Sequence, residues 1–119
     1  MGRKNLVTDY RPIDGGDMSL SSITGNHSDV SQFDTVTYEV NWSGGQATNG
    51  TLAIQYSKDG SVWRNLPLDG VPALDTASDS HLIIINEIGF KYLRPVYTRV
   101  NPSASGSLTV GIFQTNKGA

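Results

Sequence analysis

The sequence predicts an all-β protein, and three features of its composition and patterning support that prediction. Strong helix formers are scarce, with two Glu, four Lys and six Ala among 119 residues. Val, Ile and Thr together account for 27 residues, and β-branched side chains suit the pleated surface of a strand. Short apolar segments alternate with polar residues, and turn residues separate these segments about every ten positions. We therefore expect an antiparallel β-sandwich, jelly-roll-like or otherwise Greek-key, of about seven or eight short strands.

The first 17 residues are predicted to form an N-terminal arm. They contain several charged residues and end near Gly15-Gly16, and few apolar residues among them repeat at any period. Two interpretations stay open: a terminus that frays, or an arm that reaches over a neighbouring subunit. We expect the arm over residues 1–17 and the β-sandwich domain over residues 18–119, with the first strands beginning near Met18.

The first half of the predicted sandwich contains the clearest strand of the chain. Met18 to Ile23 alternates in part and predicts one or two short strands, followed by a turn over residues 25–29. From Thr35 to Trp42 apolar and polar residues alternate without a break. Such a period of two is typical of a strand with one buried and one exposed face.

A hairpin is predicted next. Leu52, Ile54 and Tyr56 form an apolar face, and Asp59-Gly60 suits a tight primed turn because both residues tolerate positive φ angles. The return strand runs through Val62, Trp63 and Leu66, and a long connection follows over residues 67–80.

Three further strands complete the prediction. The apolar run Leu82 to Ile85 is only four residues long, which favours a buried strand over a helix. Residues 90–97 form another strand, in which Pro95 indicates an edge position or a bulge. Alternation from Leu108 to Ile112 predicts the last strand.

Composition excludes several classes of protein. The chain has no Cys, which removes disulfide scaffolds and thiolate sites and fits synthesis in a reducing compartment. Its net charge of -2 with scattered basic residues argues against a nucleic-acid partner. No apolar run is long enough for a membrane span, and no apolar segment follows Arg3-Lys4 as in a signal peptide.

No residue is predicted to be catalytic, and we do not expect an enzyme. His27 or His81 can be combined with Asp29 or Asp79 and any of the thirteen serines, but no nucleophile elbow accompanies them. Each histidine is expected at a turn or a strand end. The two glutamates, Glu39 and Glu87, are not placed together by any pattern, as paired glycosidase carboxylates would be.

No metal site or cofactor is predicted either. The acidic loops at Asp14–Asp17 and Asp75–Asp79 lack the spacing of an EF-hand, and Asp in such loops is typically a turn former. Three segments, beginning at Asn26, Asn41 and Asn49, match the glycosylation sequon; we interpret them as chance matches.

The aromatic residues offer either a core or a platform on which sugars stack. Six of them are candidates for such a platform: Trp42, Trp63, Tyr38, Tyr56, Tyr92 and Tyr97. Tyr38 and Trp42 share the apolar face of one strand with Val36 and Val40, so we predict that both pack in the core. Trp63 is expected beside the hairpin turn.

An ordered set of short motifs resembles the small β-sandwich structural proteins of tailed bacteriophages, including capsid decoration (cement) proteins. The resemblance covers roughly residues 18–114 and is carried by six segments: Asp29-Val30-Ser31, Trp42-Ser43-Gly44, Gly50-Thr51-Leu52, Ser57 to Trp63, Tyr92-Leu93-Arg94 with Tyr97, and Gly106-Ser107-Leu108-Thr109.

The resemblance implies a virion structural protein that binds and stabilises the exterior of the phage head. It implies a protein made in the host cytoplasm and located on the capsid surface, with the major capsid protein and further copies of itself as partners. The hairpin at Ser57 to Trp63 is also similar to that of the discoidin family. The alternative is therefore a carbohydrate-binding module of a tail or baseplate, using the loops around Asp59-Gly60 and Asp75–Asp79.

Overall fold

Eleven β-strands, and no helix, make up the part of the chain that the computed structural model describes, which is residues 5–6, 10–31, 33–45, 49–68, 73–86 and 91–115. The strands are β1 (Asn5–Leu6), β2 (Ile13–Asp17), β3 (Ser22–Thr24), β4 (Ser28–Asp29), β5 (Thr35–Ser43), β6 (Gly50–Ser57), β7 (Arg64–Asn65), β8 (Ala73–Leu74), β9 (Asp79–Asn86), β10 (Tyr92–Arg99) and β11 (Ser107–Thr115). Over these ranges no helix is long and apolar enough to cross a membrane.

The strands form two antiparallel sheets, which confirms the prediction of an all-β sandwich. Sheet A has the order β1-β11-β5-β9, with β2 also paired to β11, and sheet B has the order β3-β10-β6-β7, with β4 on β10 and β8 on β6. The five strands of eight or nine residues, β5, β6, β9, β10 and β11, alternate between the sheets along the chain. The six other strands contain two to five residues each, too few to show a period of two, which explains why the sequence predicted fewer strands.

The core lies between the inner faces of the sheets. Strand β5 contributes Val36, Tyr38, Val40 and Trp42, all at most 3% exposed. The other long strands contribute core residues from both sheets: Leu52, Ile54, Ile83, Ile85, Leu93, Tyr97, Leu108, Val110 and Ile112. The alternation from Thr35 to Trp42 therefore identified a core strand and its buried face.

Residues 13–17, which the sequence assigns to the arm, are part of the sandwich. Strand β2 pairs with β11, with Val110 opposite Ile13 and Ser107 opposite Asp17, and Ile13 is 3% exposed. The register shifts between Leu108 and Val110, and a bulge of this kind breaks the alternation that would have identified the strand. Farther towards the N-terminus, Asn5–Leu6 also pairs with β11. The expected boundary at residue 17 therefore lies too far along the chain.

Pro95 lies inside a sheet, but at a point where the sheet has a gap. Strand β10 has β6 on one side and β3 and β4 on the other, and the connection between β3 and β4 lies opposite Pro95. Gly25 in that connection donates its N–H to the Pro95 carbonyl at 2.8 Å. Since the N and O of a strand residue point to the same side, the N–H that proline lacks would have faced this gap. Pro95 therefore lies on an interior strand, not on an edge strand as expected, but it has no paired strand on the side that its missing N–H would face.

The run from Leu82 to Ile85 is a strand, but it is buried on one face only. Strand β9 is the outermost strand of sheet A and pairs with β5 alone among the described residues. Ile83 and Ile85 point into the core, whereas Leu82 and Ile84 are 58% and 57% exposed. The expectation of a buried strand is therefore met on one face only, because no layer of the described residues covers the outer face of sheet A here.

Candidate functional site

The aromatic residues divide into a core set and a surface set. Tyr38, Trp42 and Tyr97 are at most 3% exposed, which confirms the predicted core packing of Tyr38 and Trp42. Trp63 and Tyr92 are half-buried and lie on the outer face of sheet B. The surface set, not the core set, is available to a ligand.

Three elements bring charged and aromatic side chains together on that outer face. Tyr92 and Arg94 are two residues apart on β10, so they share a face. His27 comes from the connection between β3 and β4, and Trp63 comes from the loop between β6 and β7. We call His27, Trp63, Tyr92 and Arg94, together with Gln55 on β6, the sheet B cluster.

The contacts within the sheet B cluster are close and directional. The Arg94 guanidinium lies 4.1 Å from the centroid of the Trp63 ring, well within the range of a cation–π interaction. The His27 ring lies 5.7 Å from the Trp63 ring and meets Tyr92 edge-on at 5.1 Å. Arg94 Nε donates a hydrogen bond to Gln55 Oε1 at 2.9 Å. These contacts fix the orientation of the guanidinium on the surface.

The loop that delivers Trp63 is held by a carboxylate. Asp59 Oδ1 accepts hydrogen bonds from the N–H groups of Ser61 and Val62 and from the Ser57 hydroxyl, at 2.9–3.1 Å. These bonds hold the pKa of Asp59 below its usual value. Gly60 has the expected positive φ, at 80°. However, Tyr56 pairs with Arg64, so the connection is longer than the predicted two-residue turn.

The sequence predicts Trp63 beside the turn, but no pattern in it predicts the sheet B cluster. One signal was present: Tyr92 and Arg94 alternate with Leu93 and Pro95, which are buried. That pattern places both side chains on the exposed face of a strand. Nothing local indicates that His27, which is 65 positions before Tyr92, approaches the same surface.

A second surface lies on sheet A. An open groove of about 400 Å³ lies over the end of β5 and the starts of β9 and β11. It is lined mainly by hydroxyl and amide side chains, including Asn41, Ser43, Ser80 and Thr109. Asp79, from the acidic loop, reaches this groove. The exposed Leu82 and Ile84 continue the same face along β9.

The two histidines considered as candidate catalytic residues, His27 and His81, lie in different parts of the structure. His27 belongs to the sheet B cluster, whereas His81 lies on β9, where its ring stacks on Trp42 at 5.8 Å. His81 Nε2 is 3.6 Å from Asp79 Oδ2, and both side chains are about half exposed. Within the described ranges, no serine hydroxyl is hydrogen-bonded to either imidazole.

The acidic segment Asp14–Asp17 belongs to strand β2 rather than to a loop, and its last residue, Asp17, begins the turn that follows. Asp17 Oδ1 accepts hydrogen bonds from the N–H and hydroxyl of Ser19 at 2.9 and 2.7 Å, and these bonds lower the pKa of Asp17. Among the residues that the structure describes, no group of three or more His, Asp or Glu side chains could hold a metal ion. Glu87 lies outside the described residues.

Of the three sequons, the one at Asn49 is inaccessible. Asn49 is fully buried, and its side-chain amide donates to the Thr76 carbonyl at 3.2 Å. Its backbone carbonyl accepts from the N–H groups of Val100 and Asn101. This residue joins three loops at one end of the sandwich and cannot be modified in the folded protein.

Comparison with known proteins identifies no family for this chain. The sequence matches no protein-family model and no curated protein. Two solved structures have a weakly similar fold. One is dimeric latent PorU from Porphyromonas gingivalis, at 11% identity and a TM-score of 0.42. The other is a family GH115 4-O-methyl-α-glucuronidase with specificity for decorated arabinogalactans, at 10% identity and a TM-score of 0.43. The matches cover 97% and 96% of this chain but only 12% and 16% of those chains. Likeness at this level gives no information on function.

Proposed function

We propose that this chain is a structural protein of a tailed-phage virion, a decoration protein that binds the outside of the head and reinforces the shell. The ordered motifs over residues 18–114 support the proposal at the level of sequence. In the structure, one observation carries it: β9 is a long, exposed strand edge with two large apolar side chains beside it. The major capsid protein is the proposed partner at this edge, and the capsid surface is the proposed location.

The edge of β9 lacks the devices that usually prevent association. Exposed edges are typically protected by Pro, Lys or a bulge. Strand β9 contains neither residue, and its register with β5 is continuous from Asp79 opposite Trp42 to Asn86 opposite Thr35. Its second edge has no paired strand in the described part of the chain. An extended segment of another protein can therefore add to sheet A here.

The side chains beside the edge supply an apolar contact. Leu82 lies opposite Glu39 and Ile84 lies opposite Thr37, which in turn lies opposite Phe113 of β11. Leu82 and Ile84 are more than half exposed, and covering the exposed part of each would contribute about 1–2 kcal/mol. On a capsid lattice the same contact recurs at every site, so a modest contact per copy is enough to strengthen a shell.

Co-sedimentation with heads tests this proposal. Heads of the phage that encodes this chain, assembled in its absence, are mixed with the intact protein or with Leu82→Lys combined with Ile84→Lys. We expect the intact protein to pellet with the heads and the double variant to bind at least about tenfold more weakly. A lysine at position 82 faces Glu39, so the variant is expected to remain folded.

Val100→Lys is the matched control, because Val100 is 63% exposed but lies outside β9. It is expected to bind heads like the intact protein. Full binding by the double variant would show that the docking surface lies elsewhere. An intact protein that ignores heads but is retained on neutral polysaccharide would favour the alternative, a carbohydrate-binding module. Self-association, also predicted from the sequence, is measured separately by sedimentation velocity of the isolated chain.

A further inference from the structure

Arg94 carries a positive charge for which the described residues supply no acidic partner. Its side chain is half-buried, and no carboxylate of the described ranges lies within ion-pair distance of its guanidinium. The hydrogen bond to Gln55 uses Nε alone, so within the described part of the chain both terminal nitrogens are available. An arginine stays charged in proteins, and its two terminal nitrogens match the geometry of a carboxylate or phosphate.

The guanidinium is held in place before any ligand arrives. Gln55 Nε2 donates to Asn65 Oδ1 at 3.1 Å, which turns Gln55 Oε1 towards Arg94. Trp63 supports the guanidinium at 4.1 Å, and His27 packs against Trp63. Because these contacts already restrict the arginine, a ligand that uses its free nitrogens loses less conformational entropy on binding.

Charges of both signs surround the sheet B cluster. Lys91 Nζ lies 5.3 Å from the centroid of the Tyr92 ring, at the rim of the cluster. The neighbouring acids bond their own loops: Asp29 Oδ1 accepts from the N–H and hydroxyl of Ser31, and Asp59 Oδ1 accepts within its own turn. Both carboxylates keep their charge and Lys91 interacts with Asp29, so Arg94, which the cluster holds in place, is the cation available to an anion.

We propose that the sheet B cluster binds a saccharide that carries a carboxylate, with the Arg94 guanidinium on the carboxylate. The guanidinium covers one face of Trp63. The exposed His27 and the half-buried Tyr92 offer ring surface to the C–H face of a sugar, and the exposed Asn65 amide offers hydrogen bonds to hydroxyl groups. An acidic peptide suits the site less well, because β10 is an interior strand and has no free edge on which a peptide strand can form.

This site is independent of the proposed docking of β9. The sheet B cluster lies on the outer face of sheet B, and β9 is the outermost strand of sheet A. Loss of one activity therefore leaves the other measurable. A variant of Arg94 that still pellets with heads, and a variant of Leu82 and Ile84 that still binds saccharide, separate the two proposals.

Binding to defined polymers tests the inference. The probes are oligogalacturonate and polysialic acid, which carry carboxylates, a neutral galactose oligomer, and polyglutamate as an acidic peptide. We expect calorimetric binding to at least one of the two acidic saccharides, weakened by salt. Arg94→Gln should reduce that affinity about tenfold or more, since hydrogen bonds to a charged group are lost.

Two further variants identify the cause of any loss. Arg94→Lys keeps the charge but not the two-pronged geometry, and it is expected to retain only part of the affinity. Arg64→Gln removes a positive charge from an exposed position on the adjacent strand β7 and should bind like the intact protein. Thermal melting of each variant confirms that it is folded.

Several results would overturn the inference. Equal binding of the neutral oligomer would assign the affinity to ring stacking alone. Polyglutamate that binds more tightly than both acidic saccharides, with the same dependence on Arg94, would replace the saccharide with an acidic peptide. Absence of Arg94-dependent binding to both acidic saccharides would leave the cation–π stack with a purely structural role.

Discussion

Two core tyrosines differ by one hydrogen bond. Both Tyr38 and Tyr97 are fully buried. The Tyr97 hydroxyl donates to the Met18 carbonyl at 2.8 Å, whereas the Tyr38 hydroxyl has no partner in the described part of the chain. Burial strongly raises the pKa of Tyr38, because a phenolate there would lose its hydration. The chain thus contains an internal comparison of a satisfied and an unsatisfied buried hydroxyl.

Removing each hydroxyl is expected to have opposite effects on stability. Tyr97→Phe should lower the free energy of unfolding by about 1–2 kcal/mol, since the Met18 carbonyl loses its donor. Tyr38→Phe should leave it unchanged or raise it by up to about 1 kcal/mol, because no hydrogen bond is lost and a desolvated polar atom is removed. Urea denaturation of the two variants measures the difference. Equal destabilisation would show that Tyr38 has a partner in solution.

At the scale of single elements, three aspartates at strand ends and turns accept the same kind of local hydrogen bond. Asp17, Asp29 and Asp59 each accept hydrogen bonds from a serine two positions later. The bonds to the ionised carboxylate lower the pKa of all three below the ordinary value of 3.8. The unfolded chain lacks these bonds, so its carboxyls keep pKa values close to the ordinary one.

The lowered pKa values of these three aspartates predict a loss of stability in acid. The stabilisation is complete above the unfolded pKa and is lost as the pH falls through the lowered folded values. The melting temperature should therefore be nearly constant from about pH 7 to 5 and should fall below about pH 4. Replacing Asp17, Asp29 and Asp59 together by Asn should flatten this fall. Asp75→Asn, at an exposed residue outside these turns, should not.

Strand β2 makes a second prediction at this scale. Ile13 is part of the core, and its side chain contacts the backbone regions of Gly16 and Gly25 closely enough that a Cβ at either would lie within about 3.0 Å of it. Deleting residues 1–14 removes this side chain and should lower the free energy of unfolding by about 2–5 kcal/mol. An arm over residues 1–17, as the sequence predicted, would instead tolerate this deletion without loss of stability.

Deleting residues 1–9 is the control, because it keeps β2 and Ile13. Thermal melting of the two truncated proteins should show a large shift only for the longer deletion. A chain without residues 1–14 that melts like the full chain would show that β2 adds nothing to the core. Ile13→Ala, which leaves the chain length unchanged, should reproduce most of the loss.

The whole molecule is built from pairings between distant parts of the chain. Strand β11 at the C-terminal end pairs with β5 and with β1 and β2 at the N-terminal end, where Asn5 lies opposite Thr115. Consecutive long strands lie in different sheets. Folding therefore has to close long loops before most core contacts form, which is slow in all-β topologies.

Refolding should accordingly take milliseconds to seconds rather than microseconds. Stopped-flow dilution from urea, monitored by the fluorescence of Trp42 in the core and Trp63 on the surface, measures the rate. A chain ending at residue 106 lacks β11 and should show no cooperative unfolding transition. A cooperative transition in that truncated chain would mean that sheet A forms without its central strand.

The sequence by itself determined the class of the fold and the identity of its best strands. The alternation from Thr35 to Trp42 predicted both the strand and its buried face, because side chains in a strand point to opposite sides in turn. Asp59-Gly60 predicted a turn with a positive φ at Gly60, since that conformation depends on local sterics alone. These features need only near neighbours, so the sequence contains them directly.

Only the tertiary structure decided what covers each face and which strand ends a sheet. A run of apolar residues has the same sequence pattern whether its side chains face the core or the solvent. The sequence therefore predicted Leu82 and Ile84 to be buried, whereas both are exposed because β9 lies at the edge of sheet A. Ile13 joined the core through a pairing with β11 across most of the chain. Arg94 contacts Trp63 because the connections between β3 and β4 and between β6 and β7 both lie against the outer face of β10. Such contacts depend on strand order, which is set by the packing of the whole chain and not by any local period.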